Sequence, residues 1–179
     1  LLAVIAIAGV VTLGCQRGYG GPKAADGHNR AAAGSGQTAA ALWEEMQSAH
    51  YRTNWHYWPG KGAMYKGTKP HGAFLTTYVN DVAYDAIVHK RGSLPYGSIV
   101  VKENYMPNKK LGAITVMKKV PGFNPSAGDW FWVKFAPDGK PMTMEKGGMK
   151  MTLAGKVPGC IACHGARSSN DYIYTSPLK

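Results

Sequence analysis

The chain has 179 residues, which after removal of a leader leaves room for one domain of ordinary size. Lys and Arg number 21 against 10 Asp and Glu, but the export signal at the start sets nucleic acid aside and leaves an acidic redox partner, an anionic surface or a merely solvated basic exterior. The lysines are spread out, with only short pairs such as Lys109-Lys110 and Lys118-Lys119, and three cysteines are too few for a disulfide framework.

From Leu1 to Leu13 the sequence LLAVIAIAGVVTL is apolar and uncharged, long enough for the core of a signal peptide and short for a membrane-spanning helix. With no initiator Met and no basic stretch before it, the chain is expected to begin part-way into that signal, assigned to 1–15. Thr12-Leu13-Gly14-Cys15 has the form of a bacterial lipoprotein cleavage site, except that Thr12 stands where a large aliphatic residue is usual. Either Cys15 is lipidated or it leaves with a cleaved signal peptide. The expected location is the periplasm, free or as an outer-membrane-anchored lipoprotein.

Residues 16–37 are rich in Gly, Ala and small polar residues without an apolar period, and read as a flexible tether to a domain over 38–179. Thr38 caps a helix expected to run to about His50, since Leu42, Met46 and Ala49 share one helical face. Tyr51 to Pro70, with Trp55, Tyr57 and Trp58, reads as an irregular wrapped loop. Gly72 to Val79 is a strand, and Asn80 or Asp81 caps a short helix through Lys90 and Arg91 to Gly92. Three further strands are expected over Gly97 to Met106, Leu111 to Val120 and Asp129 to Ala136, after which Asp138-Gly139 turns a hairpin into Lys140 to Met144. The fold class is α+β: an antiparallel sheet packed with helices at its N-terminal side and around a C-terminal c-type haem attachment.

That attachment is read from Cys160-Ile161-Ala162-Cys163-His164. Two thiols three positions apart can each add to a haem vinyl group, and the adjacent imidazole can then reach the iron. A zinc site would need a second Cys pair or paired His spacing, and His28, His50, His56, His71 and His89 offer none. A redox dithiol would sit in a βαβ context that is absent. One covalent haem c is therefore expected, held by Cys160 and Cys163 with His164 as the proximal iron ligand. No Met follows His164. Met142, Met144, Met149 and Met151 lie upstream, as gap-fillers of a core or as a source of a sixth ligand. Without such a ligand the iron is open to a small molecule.

Four segments in this order resemble the cytochrome P-460 family, which includes the cytochromes c-prime-beta: Phe74-Leu75-Thr76-Thr77-Tyr78-Val79-Asn80 leading into a helix, Gly97-Ser98-Ile99-Val100-Val101-Lys102-Glu103, Gly128-Asp129-Trp130-Phe131-Trp132, and the haem motif. The resemblance implies an antiparallel sheet with helices, a homodimer and a five-coordinate haem c. In hydroxylamine-oxidising members it also implies a lysine bonded to the porphyrin rim, here Lys102. Strand alternation places Lys102 with Val100 and Ser98 on one face, and Glu103 with Val101 and Ile99 on the other. Where such relatives carry polar groups over the iron, this chain has Leu75 with Thr76 and Thr77, implying a drier distal pocket. Leu75, Thr77 and Glu103 are the distal candidates, with His71 or Glu103 as acid or base.

The function so implied is oxidation of hydroxylamine, to nitrous oxide or nitric oxide, with electrons passed to an acceptor cytochrome. The alternatives are non-enzymatic capture of nitric oxide, as in the c-prime-beta members, and simple electron transfer, which needs a strong sixth ligand that the sequence does not single out.

Overall fold

A computed structural model describes residues 36–179. The signal read over 1–15, with Cys15, lies outside the described residues, as does the tether over 16–37 except for its last two positions.

Helix α1 (Ala39–Ser48) starts where the Thr38 hydroxyl accepts from the Ala41 amide at 3.1 Å, and it buries Leu42 and Met46. It stops short of His50, which adopts left-handed backbone (φ 49°) and opens the single turn α2 (Tyr51–Asn54). The stretch expected to be a loop then contributes two short strands, β1 (His56–Tyr57) and β2 (Tyr65–Lys66), which pair with opposite ends of β3 (Phe74–Val79). Strands of two residues carry no alternation for a sequence pattern to reveal.

Asn80 caps α3 (Asp81–Val88), its side-chain oxygen accepting from the amides of Ala83 at 3.3 Å and Ile99 at 3.0 Å. The helix ends before the expected Gly92, because Lys90 is already left-handed. Strands β4 (Ile99–Tyr105), β5 (Leu111–Lys119) and β6 (Trp130–Phe135) continue the antiparallel sheet. The Asp138-Gly139 turn forms, but of the strand expected over Lys140 to Met144 only Thr143 and Met144 are strand, as the start of β7 (Thr143–Lys146). Pairing with β6 is limited to the bridge from Phe135 to Pro141, flanked by the Ala136 amide donating to the Lys140 carbonyl and the Met142 amide to the Lys134 carbonyl, because the Lys134 amide donates to the Leu153 carbonyl instead. Chain pairing resumes in a separate hairpin of β7 (Thr143–Lys146) and β8 (Met149–Thr152), and β9 (Ala154–Gly155) returns to the edge of β6. The sheet order is β1-β3-β4-β5-β6-β9, with β2 also on β3. Helix α4 (Pro158–Gly165) and the segment 166–179 complete the chain.

The sheet is buried on both faces, each as one contiguous apolar cluster. On one, Leu42 and Met46 of α1 cover Ile99, Val101, Ile114, Val116, Phe131 and Val133. Trp43 lies so close to the Asp138-Gly139 turn that a Cβ on Gly139 would fall 2.3 Å from its ring, at a backbone φ of 85° that itself favours glycine. On the other face, Ala83, Ala86 and Ile87 of α3 join Val157 and Ile173 over Val100, Met117, Trp130 and Trp132. The C-terminal segment is pinned there by Asp171, whose carboxylate accepts from Lys119 Nζ at 2.6 Å and from the Leu94 amide at 2.7 Å. Its carbonyl accepts from Trp130 Nε1 at 3.1 Å. This strap fixes α4 against the second face of the sheet.

Candidate functional site

In α4 the residues Cys160 and Cys163 are three apart and Cys160 and His164 four apart, so helical geometry brings all three to one side. Pro158 opens the helix, where its missing N–H costs nothing. Both thiols are free, Cys160 half-buried and Cys163 exposed, and burial pushes the Cys160 thiol up. His164 places Nδ1 at 2.7 Å from the Tyr172 carbonyl. A carbonyl only accepts, so Nδ1 carries the proton and Nε2 keeps its lone pair. Burial lowers the His164 pKa, which favours the neutral ring that ligates metals. Tyr174 buttresses this ring edge-on at 5.6 Å and donates its hydroxyl to the Cys163 carbonyl at 2.9 Å.

Facing α4 is the sheet. Lys102 pairs with Thr77 on β3 and Thr115 on β5, and cross-strand partners share a face. A cavity of about 320 Å³ is bounded by Leu75, Lys102, Cys163, His164, His71 and Tyr174. It adjoins one of about 270 Å³ bordered by Cys160, Cys163, His164, Thr115, Lys134 and Met144. Burial draws the Lys102 amine down to about 8, leaving about a tenth of it neutral at pH 7.

His71 also borders both cavities. Its Nδ1 lies 3.0 Å from the side-chain oxygen of Asn104. The orientation of that amide is fixed, because its nitrogen donates to the carbonyls of Lys102 at 2.8 Å and Ala113 at 3.3 Å and meets Thr115 Oγ1 at 3.1 Å. His71 is therefore the donor to Asn104, and its Nε2 holds a lone pair like that of His164. Burial first, then the nearby Lys102 charge, lowers the His71 pKa to about 4. The two imidazoles stand 6.4 Å apart between centroids, with planes at 85°.

The structure thus brings together Cys160, Cys163, His164, Lys102 and Leu75. Thr77 shares their face, but it is fully buried and its hydroxyl meets that of Tyr65 at 2.6 Å. Glu103, proposed from sequence for the distal wall, lies across the sheet instead: alternation turns it toward Tyr51 Oη at 2.8 Å, Arg52 Nε at 2.6 Å and Tyr105 Oη at 2.6 Å. Of the four methionines before the motif, Met144 borders the cavity with His164. Sequence reasoning missed Asn104. Its place two residues beyond Lys102, on the same face of one strand, was the available signal.

The side chains present fit a covalently attached haem. Both thiols are unpaired, and a neutral imidazole with a free Nε2 borders two spaces, one lined by Cys160, Val100, Met117 and Trp132 and the other by Cys163 and Leu75. Among the described residues, no three His, Cys, Asp or Glu side chains converge as a free metal ion would require. Residues 48–175, well over half of the chain, match the family model described as cytochrome P-460. No curated protein shows a match to the chain.

Proposed function

The chain belongs to the cytochrome P-460 family and is a haem cytochrome; on that premise we propose that it oxidises hydroxylamine, using one haem c bonded to Cys160 and Cys163 and held at the iron by His164. In each thioether the S–H of the cysteine adds across a vinyl group, so attachment needs no oxidant. The haem supplies an electron sink and a site for the substrate nitrogen. Two hydroxylamines give one nitrous oxide and one water, with four protons and four electrons, the electrons passing to an acceptor cytochrome.

The observation that carries this reading is the place of Lys102, its amine drawn down by burial alone and bordering the same cavity as Cys163 and His164. A neutral amine is the nucleophilic form. On a strand it is held rigidly, as bonding to a porphyrin rim demands. Such a bond would remove one hydrogen from the amine and one from the rim and would need a two-electron oxidant such as a peroxide. His164 is oriented by the Tyr172 carbonyl, and Leu75 gives the cavity it borders an apolar wall.

Capture of nitric oxide without turnover is favoured by one feature, the apolar side chain of Leu75 in the wall of the cavity that His164 borders. The uncharged apolar stretch from Leu1 to Leu13 supports work outside the cytoplasm, with Cys15 as a lipid attachment point. A second copy of the chain is the proposed oligomeric partner. Steady-state turnover with hydroxylamine and an oxidised cytochrome tests the reading: the protein reduces the acceptor, and Lys102→Ala abolishes this while still binding nitric oxide. A wild-type protein that binds nitric oxide but never reduces the acceptor is a gas-binding cytochrome.

A further inference from the structure

We propose that an acidic acceptor cytochrome docks on the exposed side of α4, where Lys69 and Arg167 flank Tyr174, and collects electrons there. The inference rests on the haem being bonded to Cys160 and Cys163. It adds to the proposed reaction the surface by which electrons leave and the charge of the protein that takes them.

The place follows from the attachment. A thioether sulfur is bonded to a side group of the porphyrin, so an exposed attachment cysteine brings a partner within a few bonds of the macrocycle. Cys163 is exposed and Cys160 half-buried. Pro158, Gly159, Ala162 and Ala166 are exposed beside them, and all four are small and uncharged. An interface centre of this kind, with charge confined to its rim, lets two proteins approach closely.

Tyr174 links that centre to the rim. Its hydroxyl donates to the Cys163 carbonyl at 2.9 Å, its ring meets His164 edge-on at 5.6 Å, and it is 46% exposed. The Arg167 guanidinium lies 5.1 Å over the same ring, and Lys69 borders the cavity of about 320 Å³ together with Tyr174 and Cys163. Both cations are exposed, and they come from separate segments. Arg167 is fixed by the haem motif itself, its amide donating to the His164 carbonyl at 2.9 Å and its carbonyl accepting from the Tyr172 amide at 2.8 Å. Lys156, also exposed, stands just before the start of α4.

The sign of the charge decides the partner. Among the described residues, Lys69, Lys156 and Arg167 enter no ion pair, whereas Arg91, Lys118, Lys119 and Lys140 each meet a carboxylate. From Pro158 to Lys179 the one acidic residue is Asp171, which is buried and bound to Lys119. No described Asp or Glu borders the cavities lined by Cys163 or Tyr174. The basic excess of the chain is therefore uncompensated at the haem motif. Such a field steers an acidic protein to the site and turns a basic one away. An anionic membrane would feel the same field, but it accepts no electrons, and electrons released at the haem require a redox partner.

The test is stopped-flow mixing of the dithionite-reduced, desalted holoprotein with two oxidised cytochromes c of similar reduction potential and opposite net charge. The acidic cytochrome should be reduced faster. Its rate should fall about tenfold as ionic strength rises from about 0.01 M to about 1 M and the Debye length shrinks from about 30 Å to about 3 Å. Arg167→Glu and Lys69→Glu should each slow the reaction several-fold at low salt. Lys140→Glu makes the same change of net charge at the Asp138-Gly139 turn beside Trp43 of α1, and should leave the rate nearly unchanged. Equal slowing in all three variants, or equal rates with the two cytochromes, overturns the proposal. So does unchanged electron transfer in Arg167→Glu together with lost sedimentation on anionic phospholipid vesicles, which assigns the patch to a membrane surface. Loss of haem on a denaturing gel would overturn both this proposal and the attachment on which it rests. A protein that passes these chemically supplied electrons as expected, yet never oxidises hydroxylamine, keeps the docking surface and loses only the proposed reaction.

Discussion

Lys102 and Glu103 are neighbours on β4, and the two faces of the sheet treat their charges in opposite ways. Glu103, 1% exposed, accepts hydrogen bonds from Tyr51, Arg52 and Tyr105. The same packing raises all three tyrosines around it, Tyr51, Tyr78 and Tyr105, the last to about 12, burial being the first cause and Glu103 the next. Its charge is compensated and closed in. The Lys102 amine is lowered by burial alone and meets a cavity. An uncompensated buried charge is costly, so Lys102 does not stabilise the sheet as the Glu103 cluster does, and its place beside two thiols and two imidazoles is what the proposed chemistry uses. The α1 face is built to hold the sheet, and the α4 face to hold something else.

The largest effect is expected at Lys102. If it is bonded to the haem, it ties β4 to α4 in the unfolded chain as a disulfide would, and Lys102→Met should cost about 4 kcal/mol of stability in urea unfolding. A free amine would instead make the substitution neutral or stabilising. Glu103→Leu should cost about 2–4 kcal/mol by stranding three donors, with Arg52 half-exposed and able to regain water. The haem spectrum should not change, because the residue faces away. A spectral shift in Glu103→Leu would break the division between the faces. Smallest is Thr38→Ala, which removes the cap of α1 and should cost about 1 kcal/mol in the same experiment, again with the haem band unmoved.

The parts of this arrangement that were legible in the sequence are local. Cys160, Cys163 and His164 lie on one helix, so their spacing alone was enough to bring them together. The opposition of Lys102 and Glu103 follows from a period of two on a strand that forms as expected. Thr38 and Asn80 are caps of the residue types that capping prefers. What was hidden depends on contacts between distant segments or on very short elements. Strands β1 and β2 exist because β3 offers an edge, not because their own residues demand it. The strand expected after Gly139 begins only at Thr143 and pairs with β8 rather than β6, whose Lys134 amide is taken by the Leu153 carbonyl. His71 could be read only as a lone histidine beside a strand, since its meaning comes from Asn104 and from His164, far away in the chain.

The most direct test of the α4 face as a haem site shaped around Lys102 is to digest the denatured holoprotein and identify by mass spectrometry every peptide that carries haem. The account predicts a single haem-bearing fragment that contains both the Cys160 to His164 segment and the Lys102 segment, joined through the porphyrin and separated in Lys102→Met. Haem found on the Cys160 to His164 peptide alone, with the Lys102 peptide recovered free from the wild-type protein, would contradict it.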